Sequence, residues 1–83
     1  MYKLLIEKHV EKQLAKISEP IYSQIKSAIN ELAINPRPHG YLKLKGRNGY
    51  RIKQGNYRII YDINDQILTV YILEAGHRKD IYD

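Results

Sequence analysis

Arg51, Lys53 and Arg58 stand close together in a segment with no acid between Glu31 and Asp62, and Arg37, Lys43, Lys45 and Arg47 lead into it. The last residues add His77, Arg78, Lys79 and Tyr82. Guanidinium groups offer planar forks of donors and ammonium groups offer point charges, so the chemistry these residues suit is the holding of phosphate. With 14 Lys+Arg against 9 Asp+Glu, the net charge of +5 is segregated rather than spread. Such a stretch attracts polyanions, of which nucleic acid is the commonest in a cytoplasm; a solvated basic face is the bland alternative.

Other chemistries are less well served. The chain has no cysteine, which removes disulfides, thiolate metal sites and thiol catalysis. His9 and His39 suit surface or packing roles, His77 could assist proton transfer beside Arg78, and no pair has metal-ligand spacing with a third ligand nearby. No metal and no cofactor is expected. The first residues, Met1-Tyr2-Lys3-Leu4-Leu5-Ile6-Glu7, turn charged before a signal-peptide apolar region forms, and no apolar run reaches membrane-spanning length. The expectation is a soluble cytoplasmic protein, one domain over residues 1–83.

The elements that must position these side chains follow from periodicity. Tyr2 to Ile6 reads as a short strand. Glu7 to Ile17 reads as a helix with an apolar stripe at Val10, Leu14 and Ile17. Ser18-Glu19-Pro20 supplies a cap and a first-turn proline for a second helix, with Ile21, Ile25, Ala28, Ile29 and Leu32 inward and an end near Asn35, before Pro36 and Pro38. Residues 36–49 read as a basic loop pinned by Leu42 and Leu44. Tyr50 to Gln54, Tyr57 to Ile63 and Gln66 to Glu74 read as a meander with turns at Gly55-Asn56 and Asn64-Asp65. The fold class is α+β, β-α-α-β-β-β, an antiparallel sheet with a helical hairpin on one face.

Two-residue turns set a register. Lys53 falls opposite Arg58, Ile52 opposite Ile59 and Arg51 opposite Ile60; further on, Ile59 faces Val70 and Tyr61 faces Leu68. The core face then collects Ile52, Ile59, Tyr61, Leu68, Val70 and Ile72, and the far face Arg51, Lys53, Arg58 and Tyr71. Like charges directly opposite cost a few tenths to about 1 kcal/mol when exposed, and an anion between them removes that cost. Gly76 lets the tail turn back toward these cations, bringing Arg78 and Tyr82, whose ring could equally cover apolar surface.

Tyr50-Arg51-Ile52-Lys53, Gly55-Asn56-Tyr57-Arg58-Ile59-Ile60-Tyr61 and Gly76-His77-Arg78-Lys79-Asp80-Ile81-Tyr82 resemble the successive signatures of the RelE/ParE toxin superfamily. The likeness spans nearly the whole chain. It implies the toxin of a type II toxin-antitoxin system, a RelE-type mRNA interferase cutting messenger RNA on the ribosome without a metal. The 2′-hydroxyl would attack the adjacent phosphorus and leave a 2′,3′-cyclic phosphate. By this resemblance the catalytic set is Arg51, Lys53, Arg58, Arg78 and Tyr82, with Lys43, Lys45, Arg47, His77 and Lys79 binding RNA or the ribosome. Arg51 departs from the family, where lysine is common; a guanidinium cannot readily lose its proton, so proton acceptance falls to Lys53 or to no side chain at all. The same scaffold also serves ParE-like inhibitors of DNA gyrase that have no nuclease activity. Either activity implies a cognate antitoxin, expected to be acidic, partly disordered and able to displace the tail carrying Arg78 and Tyr82.

Overall fold

The period-two segments pair as expected at the first hairpin and unexpectedly at the second. In the computed structural model, which describes residues 1–81, the elements are β1 (Lys3–Ile6), α1 (Lys8–Ala15), α2 (Ile21–Leu32), β2 (Leu42–Lys43), β3 (Tyr50–Gln54), β4 (Tyr57–Asn64) and β5 (Thr69–His77). They form one five-stranded sheet in the order β1-β5-β4-β3-β2. β2 to β5 are antiparallel neighbours, whereas β1 lies parallel to β5. The sheet is therefore mixed: both helices intervene before the meander begins at the far edge, and its last strand returns beside the first. The loop over residues 36–49 contributes the two-residue strand β2, pairing Leu42 with Arg51 and Lys43 with Tyr50.

Helix periodicity sets the main core. Val10 and Leu14 of α1 and Ile25, Ile29 and Leu32 of α2 bury against Ile52, Ile59, Tyr61, Val70, Ile72 and Ala75 of the sheet. The second helix is capped differently from the sequence expectation. Its flanking residue is Pro20, and the Glu19 carboxylate, not Ser18, accepts the Ser23 N–H at 2.9 Å and the Ser23 hydroxyl at 2.6 Å. These hydrogen bonds hold the Glu19 carboxyl below its ordinary pKa.

The second register departs from expectation for two local reasons. The Asn64 side-chain oxygen accepts the N–H groups of Gln66 at 3.0 Å and Ile67 at 3.2 Å, so the turn is wider than Asn64-Asp65 alone and Asn64 pairs with Thr69. That wider turn makes Ile72, not Leu68, the partner of Tyr61, and a register shift between Ile60 and Tyr61 adds one residue more, so that Ala75, not Val70, is the partner of Ile59. Leu68 leaves the core altogether; it is 50% exposed in the turn, with φ of 48°.

The sheet's other face carries a small cluster of its own. Leu44, Ile60 and Ile81 are buried there with Leu73 packed against them. Of the two loop leucines, Leu44 is the pin and Leu42 stays exposed. Gly49 allows the loop this approach: its φ is 118°, and a Cβ would meet the Tyr61 carbonyl oxygen at 3.0 Å and Leu44 Cδ1 at 3.3 Å. Among the described residues no helix is long and apolar enough to cross a membrane.

Candidate nucleic-acid interface

β3 and β4 position the central cations. Lys53 lies directly across from Arg58, and Arg51 lies across from Ile60, so strand alternation puts Arg51, Lys53 and Arg58 on the face away from the helices. Lys53 is exposed; Arg51 and Arg58 are half-buried. Arg58 curls over the hairpin turn, donating from Nη1 to the carbonyls of Gly55 at 3.1 Å and Tyr57 at 3.0 Å. Both contacts use one nitrogen of a five-donor fork, so the guanidinium is oriented without its donors being consumed.

β2 and its loop border the basic face, with Leu42 opposite Arg51 and Lys43 opposite Tyr50, on the helix side. Arg51 shares a cleft of about 340 Å³ with Leu42, Lys43, Leu44 and Lys45. Lys43 Nζ sits 5.5 Å from the centre of the Tyr50 ring and donates to the Arg47 carbonyl at 3.2 Å. At the other end, the Arg78 N–H donates to the Asn56 carbonyl at 2.8 Å, extending the ladder one step past β5. The exposed side chains of Arg78 and Lys79 are thereby placed beside the Gly55-Asn56 turn.

Two of the other basic residues are engaged elsewhere. Arg47 Nη1 lies 3.6 Å from Glu74 Oε2. Glu74 was not singled out by sequence because it is remote from the acid-free stretch; β5 carries it onto the same face, opposite Ile60. Only the register could have revealed it. His77 lies opposite Tyr57, on the helix side of β5, with ring centres 5.3 Å apart and planes at 75°. It does not join Lys53 and Arg58; its Nδ1 accepts the Lys79 N–H at 3.2 Å. Tyr82 lies outside the described residues. The structure thus gathers Arg51, Lys53 and Arg58 on one face, with Lys45 in the cleft beside Arg51 and Arg78 at the strand end, whereas Lys43, opposite Tyr50, falls on the helix side. Chemically, this is a surface for oxyanions.

The family described as "ParE toxin of type II toxin-antitoxin system, parDE" matches residues 4–82. The chain belongs to the RelE/ParE toxin superfamily. Toxin RelE3 of Methanocaldococcus jannaschii is 36% identical over 98% of this chain and 96% of its own length. Toxin RelE in the archaeal RelE-RelB complex from Pyrococcus horikoshii superposes with a TM-score of 0.83 at 28% identity, covering 96% of this chain and 98% of that one. The isolated RelE toxin of E. coli superposes with a TM-score of 0.79 at 26% identity, covering 93% of this chain and 84% of that one. This superfamily member is therefore a RelE-like toxin of a type II toxin-antitoxin system.

Proposed function

We propose that this toxin is a ribosome-dependent endoribonuclease that cuts messenger RNA and so stops translation. The observation that carries the reading is Lys53 directly across from Arg58 with Arg51 on the same face, three cations held by rigid strands where a phosphate would relieve their repulsion. RelE relatives along the whole chain support it. Residues 1–83 act as one toxin domain, in the cytoplasm where ribosomes are.

In this reading Lys53 accepts the proton of the ribose 2′-hydroxyl as its oxygen bonds to phosphorus. Arg51 and Arg58 stabilise the charge that develops on the phosphate oxygens. Arg78 sits by the departing 5′-oxygen, and Tyr82 holds a base by stacking. The products are a 2′,3′-cyclic phosphate and a 5′-hydroxyl. Lys43, Lys45 and Lys79 bind flanking RNA or the ribosome, with Arg47 contributing from the edge of the face and His77 from the helix side of β5. Amines and guanidiniums are weak proton carriers at neutral pH, so orientation by the ribosome supplies much of the acceleration.

A cognate antitoxin, by analogy with the RelB partners in the relatives' complexes, neutralises the toxin by covering the cations with an acidic segment. The decisive assay presents a defined messenger on purified ribosomes to the free toxin. Cleavage with cyclic-phosphate ends is expected. A folded chain that leaves the messenger uncut at stoichiometric amounts ends the nuclease reading, and DNA damage preceding translation arrest in cells would favour a ParE-like gyrase inhibitor instead.

A further inference from the structure

β1 ends at Ile6, opposite Ile72, and beyond it no strand among the described residues lies beside that edge of β5. Helix α1 takes the strand's place. His9 Nε2 is 2.7 Å from the Leu73 carbonyl oxygen, and Gln13 Oε1 accepts the Ala75 N–H at 3.0 Å. The two side chains are one helical turn apart, so one helix face reaches two successive edge positions. Since the Ala75 N–H points at α1 rather than β4, its carbonyl points the same way, and so does the N–H of His77 two residues on. At that open edge is a cavity of about 290 Å³, whose lining includes Gln13, Lys16, Tyr57, Ala75, His77 and Asp80.

The cavity is bounded at both ends. Gln13 closes one, and the turn in which the Asp80 N–H donates to the His77 carbonyl at 2.8 Å closes the other. An extended peptide would need a longer edge. The volume lies at the small end of ligand sites, enough for one planar ring system. Tyr57 and His77, edge to face, provide an aromatic wall. Because His77 Nδ1 accepts the Lys79 N–H, the neutral ring carries its proton on Nε2 and can donate. With its oxygen turned to Ala75, Gln13 presents its NH₂ as a further donor. Arg58 pairs with Gly76, the residue between Ala75 and His77, so the cavity flanks the same stretch of β5 that borders the basic face, on the other side of that strand.

We propose that this cavity is a nucleobase subsite for the cleaved RNA. A base beside the cut would lie against Tyr57 and His77, its polar edge read by the Ala75 carbonyl, the His77 N–H groups and the Gln13 amide, with Lys16 and Arg78 at the rims meeting adjoining phosphates. The assignment rests on the nuclease reading and extends it to the opposite side of β5.

Two measurements decide it. Titration of the wild-type protein with nucleoside 5′-monophosphates, followed by NMR, should move the His77 backbone amide and Gln13 side-chain amide signals, while ribose 5-phosphate should leave them in place. In the ribosome assay, one abasic residue flanking the cut should lower kcat/KM about five-fold or more, as loss of a base stack does. The same abasic messenger should cause no further loss in Tyr57→Leu. Shifts that ribose 5-phosphate reproduces would overturn the subsite, as would mononucleotide binding with no abasic effect, which would assign the base to another RNA. A wild-type chain that leaves every messenger uncut sinks the nuclease reading and this assignment to the cleaved strand with it. Intact and abasic messengers cut alike sink the subsite alone.

Discussion

The two faces of the sheet are built on different terms. The helix-side face buries a continuous set of aliphatic residues from two helices and three strands, with Tyr61 as its largest buried side chain. The other face is divided between the small cluster of Leu44, Ile60, Leu73 and Ile81 and the cations Arg51, Lys53 and Arg58. What the difference teaches is a separation of tasks. Burial on one face stabilises the strands, and the other can then hold like charges in a row at a cost of only about 1 kcal/mol per exposed pair. The small cluster joins the tasks, because its loop and tail residues are neighbours of the basic residues they help to place.

The strongest way to break that separation is at the cations. Arg58→Ala is expected to slow messenger cleavage on the ribosome about 100- to 1,000-fold in single turnover, as removal of one oxyanion donor does, while shifting thermal unfolding little. A comparable loss of stability would mean the face is structural. Ile60→Ala tests the opposite corner. Ile60 is fully buried, so denaturant unfolding should show a loss of about 2–4 kcal/mol. A loss under about 1 kcal/mol would reduce the cluster to incidental surface contact.

How these faces could be read from sequence follows the same division. The helix stripes and the first hairpin were legible because their periods are local, and Lys53 opposite Arg58 required only a two-residue turn at Gly55-Asn56. The second register was not legible, because it depends on how the Asn64 side chain folds the turn and on a shift between Ile60 and Tyr61. Glu74 reached the basic face through that register. Leu44 and Ile81 cover Ile60 from two distant segments, and nothing in the period of either segment announces a contact with the other.

Tyr61→Phe sharpens the comparison from the core side. The Tyr61 hydroxyl donates to the Pro36 carbonyl at 2.7 Å in a buried setting, and burial raises its pKa so that it stays a donor at any ordinary pH. Removing it strands a buried carbonyl, which should cost about 1–3 kcal/mol in denaturant unfolding. An unchanged midpoint would show that water replaces the lost partner at the start of the loop leading to the basic face.

The smallest expected effect lies where the chain passes from one face to the other. Asp65 accepts from the Tyr2 hydroxyl at 2.6 Å and from Arg37 Nη2 at 2.8 Å, tying the residue before β1 and the loop before β2 to the β4–β5 turn. The Arg37 hydrogen bond, with that of Tyr2 second, holds the Asp65 carboxyl below its ordinary pKa. A depressed folded value means the stabilisation is present above the unfolded carboxylate's pKa of about 3.9 and disappears as pH falls through the folded value. Asp65→Asn should therefore lower Tm at neutral pH, and the gap to wild type should close on acidification below the usual carboxylate range. The groups are exposed, so the gap should be small and should also shrink with added salt. A gap that persists in acid and in high salt would mean that Asp65 works through hydrogen-bond geometry alone, leaving its charge no part in anchoring the loop.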